Sequence, residues 1–328
     1  MNKEKIRWSI IGAGNIAQSF VKDFPLVKNG ELVAIAARDK ERAAAFALAH
    51  NIPLAYNYEE LYNSTEVDAV YISTTHNFHF EQIMQCLLHG KAVLCEKPIT
   101  INDAEFKQLA AVSQAEKVFL MEAMWTYFLP AIIKAQQWVD EGRIGELKVI
   151  QADFAYPMEK KMEGRMYSPL LAGGALLDLG VYPVAMASLF AKQQPKSITA
   201  SGVLTPSGVD ANVAIILQYE KITATLFTSM ETRMTNKLRL FGETGYIEVP
   251  DFWRGYGCKL FDKDYQLIDS FHDERTSVGF IYQMQHATDR ILDNEIESDI
   301  MTHQKSIGVQ EIMTGVRRQI GLKYPMEE

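Results

Sequence analysis

Short apolar runs alternate with amphipathic stretches through the first third of the chain. Ile6-Arg7-Trp8-Ser9-Ile10-Ile11 reads as a buried strand, followed by a helix over Ile16 to Phe24. Further strands are expected at Glu31 to Ala37, Ala55-Tyr56, Val67 to Ser73, Lys91 to Glu96 and Val118 to Glu122. Helices are expected between them at Asp39 to His50, Tyr58 to Tyr62, Phe78 to His89 and Asn102 to Gln114. Strands and helices alternating at this spacing predict parallel βαβ units in a doubly wound sheet. Beyond Pro130 the pattern changes. Leu147 to Phe154, Ser197 to Leu204, Asn212 to Tyr219, Ile222 to Ser229 and Lys237 to Gly242 alternate like half-buried strands, mostly with no helix between them. That order favours antiparallel neighbours, and Phe280 to Leu292 and Ser306 to Gly321 read as closing helices. The expected architecture is α/β, with a nucleotide-type domain over 1–124 and a second α/β domain over 125–328.

Ligands of doubly wound sheets lie at the carboxyl ends of the strands. Four segments fall there: Gly12 to Ile16, Ala37 to Arg42, Ser73 to His79 and Glu96 to Pro98. The first carries Gly12-x-Gly14-x-x-Ala17 at a strand-to-helix turn. Gly12 permits the turn, Gly14 admits a pyrophosphate close to the backbone, and Ala17 lets the helix pack on the strand. The helix N-terminus directs free N–H groups at the phosphates. Contacts to a dinucleotide are therefore expected from Gly12, Gly14, Asn15, Ile16, Thr74, His79, Glu96 and Lys97. The second segment selects between cofactors. An NAD site usually ends its second strand in a carboxylate, roughly 20 residues past the glycines, that binds the ribose 2′-OH. Ala37 stands there instead, and Arg38 follows with a planar fork suited to a 2′-phosphate. Arg42, one helical turn on, adds a second cation, and Asp39 reads as a helix cap. NADP is expected rather than NAD; the alternative is that both arginines are solvated surface charges.

Composition narrows the rest. The 328 residues are 48% hydrophobic and 23% charged, as in ordinary globular chains, and the net charge of -8 with no basic block argues against nucleic acid. No apolar run reads as a membrane span and the N-terminus offers no signal peptide, so no membrane partner is expected. Cys86, Cys95 and Cys258 are too few and too scattered for a disulfide framework or a metal site. His76 and His79 have metal-like spacing, but no further ligand completes a set, and no metal is expected. A cytoplasmic location follows from these readings.

Glu96-Lys97-Pro98 at a strand end, the glycine turn, Thr74-Thr75-His76-Asn77-Phe78-His79, and Gly173-Gly174-Ala175-Leu176-Leu177-Asp178-Leu179-Gly180-Val181-Tyr182 together resemble the Gfo/Idh/MocA oxidoreductases. Ala92 to Pro98 and Met121-Glu122-Ala123-Met124-Trp125 look like the branch containing dimeric dihydrodiol dehydrogenase and the NADP-dependent D-xylose dehydrogenases. The resemblance spans the chain. It implies a Rossmann domain, a second domain with a large, open, mostly antiparallel sheet, a catalytic lysine at Lys97, often followed by a cis peptide, His79 near the nicotinamide end of the cleft, and no metal; the alternative for His79 is a helix-start histidine packing on the strand. Many members have histidine where Tyr182 stands; this branch has tyrosine.

Hydride transfer at a carbinol needs a group that moves the hydroxyl proton and a site that keeps water out. Lys97 is the first candidate; read as a dipeptide alone, Lys97-Pro98 is equally a surface lysine before a turn. Asp178 and Tyr182, spaced i, i+4, share one face of a helix that Gly173-Gly174 lets start close to substrate. Pro183 is awkward within a helix and suggests a kink. A Lys97–Tyr182 pair, one from each half of the chain, is expected to manage the proton, with either group making the transfer. Asp178 is expected to orient a sugar-like hydroxyl or the lysine. Trp125 and Phe128 read either as an apolar substrate wall or as core at the domain junction. Tyr156 and Arg165 lie in a loop expected to border the cleft, with a solvated charge the default for Arg165. The leading reading is an NADP-dependent oxidoreductase of a sugar-like or cyclic-diol substrate. Its competitors are a glycosidase using a bound dinucleotide for transient oxidation, and a non-catalytic NADP-binding sensor. A homodimer or tetramer through the second sheet is expected.

Overall fold

The computed structural model describes residues 4–161 and 163–327. These form two units. One runs to Trp125 and takes back Thr276–Ile307; the other comprises Thr126–Arg275 and the tail from Gly308.

The first unit holds β1 (Ile6–Ile11), α1 (Asn15–Asp23), β2 (Gly30–Ala36), α2 (Lys40–His50), β3 (Leu54–Tyr56), α3 (Tyr58–Asn63), β4 (Ala69–Ile72), α4 (His79–Leu88), β5 (Ala92–Glu96), α5 (Asp103–Glu116) and β6 (Leu120–Ala123). The strands pair in parallel in the order β3-β2-β1-β4-β5-β6. Every residue of β4, β5 and β6 is buried, as expected of parallel strands covered on both faces. Local chemistry sets the helix starts. Asp39 accepts the Glu41 N–H at 2.9 Å, Asn57 and Glu60 form a reciprocal capping box, and Asn102 accepts the Glu105 N–H at 2.9 Å.

The second unit holds α6 (Pro130–Asp140), β7 (Leu147–Ala155), α7 (Val181–Ala191), β8 (Ser197–Leu204), β9 (Asp210–Gln218), β10 (Thr223–Ser229), β11 (Lys237–Gly242), β12 (Gly245–Pro250), β13 (Gly257–Asp262) and β14 (Leu267–His272). Its sheet runs β14-β13-β12-β11-β7-β10-β9-β8 and is antiparallel except for the pair β7–β10. Residues such as Ile150, Ala152, Phe154, Leu226, Leu238, Leu240, Ile247 and Leu260 alternate inward and are buried. The helices α6 and α7 pack on strands of this sheet.

Three features differ from the sequence reading. The helix α6 and the strands β12 to β14 were not anticipated. The second domain is not the continuous stretch 125–328, because α8 (Phe280–Leu292) folds with the first unit and α9 (His303–Ile320) begins there. Asp23 at the end of α1 explains the return: it is 1% exposed and its carboxylate accepts the N–H groups of Val278, Gly279 and Phe280 at 3.1, 2.9 and 3.0 Å, capping α8. Finally, Pro169–Ala191 is long and apolar enough to cross a membrane, contrary to the expectation that no run is. Its apolar window is 89% buried in the protein, so its hydrophobicity is that of a core element.

Replacing Asp23 leaves the buried N–H groups of Gly279 and Phe280, and the part-buried one of Val278, without that acceptor. Asp23→Ala is expected to lower stability by about 2 kcal/mol. Urea unfolding monitored by circular dichroism measures this, and an unchanged midpoint would refute the capping role.

Candidate active site

At the end of β1 the chain turns at Gly12, whose φ is +105°. A Cβ there would press on the Ser73 hydroxyl and backbone at 3.0–3.1 Å, so only glycine fits between the ends of β1 and β4. Ser73 closes this junction by donating to the Ile11 and Gly12 carbonyls, both at 3.0 Å. Gly14 is the N-cap of α1; it supplies no side-chain cap, and a Cβ there would point into open space. The helix thus starts with donors directed at an approachable surface, which fits a pyrophosphate. Asn15 is exposed at the first helical position, and Ile16 is half-buried. At the end of β2, Ala37 is buried and Arg38 is exposed. Arg42 donates to the Ala13 carbonyl at 3.0 Å, which brings the start of α2 against the glycine turn. The cleft of about 260 Å³ lined by Ile6, Asp68, Ala92 and Phe119 lies at the amino ends of the same strands, away from these groups.

The ends of β4, β5 and β6 are braced from within. His79 is fully buried; Nδ1 faces the Pro98 carbonyl at 3.0 Å and Nε2 the Thr74 carbonyl at 3.2 Å. The ring thus sits between two strand-end loops. Thr74 uses its hydroxyl on Gln82 at 2.6 Å. Glu96 is buried and accepts the Tyr71 hydroxyl at 2.5 Å. Lys97 is half-buried, and its peptide bond to Pro98 is cis. Beneath that turn lies Glu122, 1% exposed, which the sequence reading quoted only within a motif. Its Oε1 accepts the Ile99 N–H at 3.1 Å and its Oε2 the Ser306 hydroxyl at 2.7 Å. Burial raises its carboxyl to about 7, helped by the Glu96 charge and opposed by the two hydrogen bonds and by Lys97. Trp125 is 3% exposed and stacks on Phe280 at 4.7 Å, a core role in the first unit.

In the second unit, Leu176–Gly180 forms a π-helical turn that runs into α7. The wider turn accommodates Pro183 without a break, so the expected kink is a π-turn placed before the proline. This segment carries Asp178 and Tyr182, both largely buried. Asp178 receives Arg165 Nη1 at 3.0 Å; the Arg165 side chain is itself 41% exposed, so it keeps its expected contact with solvent while pairing with Asp178. Tyr182 meets Phe154 edge-on at 5.2 Å and lies near Trp253 at 6.5 Å; Tyr156 stands against Phe154 at 5.6 Å and Trp253 at 6.3 Å. Arg233 lies over Tyr156 at 5.5 Å and Arg254 over Trp253 at 5.0 Å. Trp253 and Arg254 were not singled out from sequence, because β12 and the turn after it were not recognised; Arg233 lies in the loop between β10 and β11, where no local pattern marks it. Phe128 is 3% exposed, within the core of this unit.

Fold and residues define a dinucleotide-binding oxidoreductase. Residues 6–124 match the family described as "Oxidoreductase family, NAD-binding Rossmann fold", and residues 132–248 match the "GFO/IDH/MocA C-terminal domain". The chain belongs to the Gfo/Idh/MocA oxidoreductases, enzymes that bind NAD(P) and act as dehydrogenases or reductases. It is 35% identical to trans-1,2-dihydrobenzene-1,2-diol dehydrogenase of Xenopus tropicalis over 97% of this chain and 99% of that protein. The corresponding human enzyme is 33% identical over 98% of this chain and 99% of its own length. Among solved structures, a tyrosine-to-phenylalanine variant of KijD10, a 3-ketoreductase from Actinomadura kijaniata in complex with TDP-benzene and NADP, superposes with a TM-score of 0.87. It is 26% identical, covering 96% of this chain and 98% of that one.

The raised Glu122 carboxyl makes a signed prediction. Its folded value of about 7 exceeds the ordinary 4.5, so its stabilising contribution is complete below about pH 4.5 and is lost as pH rises through 7. Glu122→Gln keeps an acceptor for Ile99 and removes the charge. Its melting temperature relative to the parent is expected to improve from pH 5 to pH 9, by a shift worth up to about 3 kcal/mol. A pH-independent difference would show that Glu122 does not titrate in this range.

Proposed function

We propose that the chain is an NADP-dependent dehydrogenase of a sugar-like or cyclic-diol substrate, interconverting a carbinol and its carbonyl. The reading is carried by one observation: Lys97 at the carboxyl end of β5, in a unit whose glycine turn and bare helix end suit a dinucleotide. The relatives named above, a diol dehydrogenase and a 3-ketoreductase bound to TDP-benzene and NADP, support a carbinol–carbonyl substrate. Gly12, Gly14, Asn15, Ile16 and Thr74 hold the dinucleotide in this reading, with Arg38 and Arg42 at the 2′-phosphate. Ala37 offers no carboxylate to repel that phosphate, and the Asp39 carboxylate is committed to the Glu41 N–H.

The bound dinucleotide supplies a hydride acceptor or donor at its nicotinamide. Lys97 and Tyr182 both act on the reacting hydroxyl: the ammonium stabilises negative charge on oxygen and the phenol relays the proton. Asp178, held by Arg165, orients a neighbouring hydroxyl of the substrate. Trp253 and Tyr156 offer flat apolar faces to a ring. A second copy of the chain covers the outer face of the large sheet, where Phe241, Tyr246 and Phe261 stack in register at 5.4 and 4.7 Å and Val149 and Ile216 are exposed. A cytoplasmic setting accords with the three buried, free cysteines.

Lys97→Met is expected to lower kcat by two to four orders of magnitude, roughly the worth of positioned acid–base catalysis, with NADPH binding retained by fluorescence. Activity within a few fold of the parent would overturn the assignment. Arg38→Ala is expected to weaken NADP(H) by about ten- to a hundred-fold, from loss of a charge-assisted contact, and NAD(H) little. Equal losses for both cofactors would remove Arg38 from the 2′-phosphate.

A further inference from the structure

The tail after α9 ends against the turn that launches the Asp178–Tyr182 segment. Tyr324 is fully buried, and its hydroxyl donates to the Gly173 carbonyl at 2.6 Å. Gly173 has no room for a side chain, since a Cβ would lie 2.5–2.6 Å from the Arg165 and Met166 carbonyls. Its N–H donates to the Ser168 carbonyl at 3.0 Å, and the Gly174 N–H to that of Met166 at 2.9 Å. The tyrosine therefore grips the turn shared by the two residues of the Arg165–Asp178 ion pair.

The grip is itself fixed. Arg317 of α9 is 3% exposed and binds Glu327 through both terminal nitrogens at 2.6 and 2.8 Å. Glu327 Oε2 also accepts the Tyr324 N–H at 3.1 Å, and the guanidinium lies 5.1 Å from the Tyr324 ring centre. On the other side of the glycines, buried Asp210 accepts the Leu176 N–H at 2.6 Å and fills the space that a Gly174 side chain would need. Burying charges here is an expensive way to hold a tail; apolar contacts would serve stability as well. What the polar groups add is one defined position for the glycine turn.

We propose that Tyr324, locked by Arg317 and Glu327, is a positioning residue that sets the Arg165–Asp178 pair for substrate through its hydrogen bond to Gly173. This rests on the reading of Asp178 given above.

Tyr324→Phe keeps the ring and removes that single bond. With a diol or aldose substrate at 25 °C, kcat/KM is expected to fall about three- to ten-fold, the worth of one hydrogen bond, while the Kd for NADPH is unchanged. In an Asp178→Asn background the further loss is expected to vanish, because the pair being positioned is gone. A parental kcat/KM in Tyr324→Phe, or the same fold loss in both backgrounds, overturns the proposal. Should Tyr324→Phe fail to fold, Glu327→Gln, which loosens the lock from its outer end, is read by the same two criteria. Asp178→Asn with parental activity would instead overturn the reading of Asp178 itself; an impaired Asp178→Asn beside a parental Tyr324→Phe would sink the strap alone.

Discussion

Strand ends that serve a ligand face a conflict. Their backbone polar groups must be satisfied, yet the surface they present must stay open. The first unit resolves this by satisfying them from behind. Ser73 reaches across to the carbonyls of Ile11 and Gly12, His79 spans the carbonyls of Thr74 and Pro98, and Glu122 takes the Ile99 N–H. Three different side chains thus fix three adjacent loops without occupying their outer surface. At the start of α1 no side chain supplies a cap. That contrast is what marks the carboxyl edge of the sheet as a binding surface.

The second unit applies the same logic to a helical segment. A π-turn is less favourable than an α-helical one, and it persists where the surroundings hold it. Here Asp210 takes the Leu176 N–H at its start, and Gly180, within it, packs so closely that a Cβ would lie 3.0–3.1 Å from the Leu176 and Thr228 side chains. The turn sits beside Pro183, which cannot donate a backbone hydrogen bond. Asp178 and Tyr182 are consequently presented from a segment whose backbone is determined on both sides. The edge-on contact of Tyr182 with Phe154 further limits how its ring can turn.

Much of this was legible in the chain, and the failures have physical causes. The parallel strands announced themselves because both faces are buried, so β4 and β5 read as unbroken apolar runs. The glycine turn was legible because Gly12 and Gly14 answer steric demands that other residues cannot meet. The strands β12, β13 and β14 were not, since each is short, interrupted by charge, and bounded by turns of Gly, Pro and Asp. Their pairing is specified by cross-strand partners such as Tyr246 and Phe261, a signal absent from any one segment. The return of Thr276–Ile307 to the first unit rests on Asp23 and on Trp8 Nε1 meeting Thr288 Oγ1 at 3.1 Å, contacts between residues more than 250 positions apart. Local periodicity carries no trace of such pairings.

Glu122 shows how architecture and chemistry meet at one atom group. A carboxyl that is almost fully buried is penalised when ionised, and the neighbouring Glu96 adds to the penalty. The two hydrogen bonds and the Lys97 ammonium work against it. Burial outweighs these contacts, which is why the carboxyl lies near 7 rather than at its ordinary 4.5; without them it would lie higher still. Attraction between two charges is mutual, so the ionised carboxylate and the ammonium each favour the other's charged state. The turn that carries Lys97 is therefore held by a group whose charge changes near neutral pH. Its geometry survives either state, since one oxygen accepts from the Ile99 backbone and the other from Ser306, and protonation removes at most one of these acceptors. Structure is kept while the local field changes, an arrangement that a hydrophobic residue at this position would not provide.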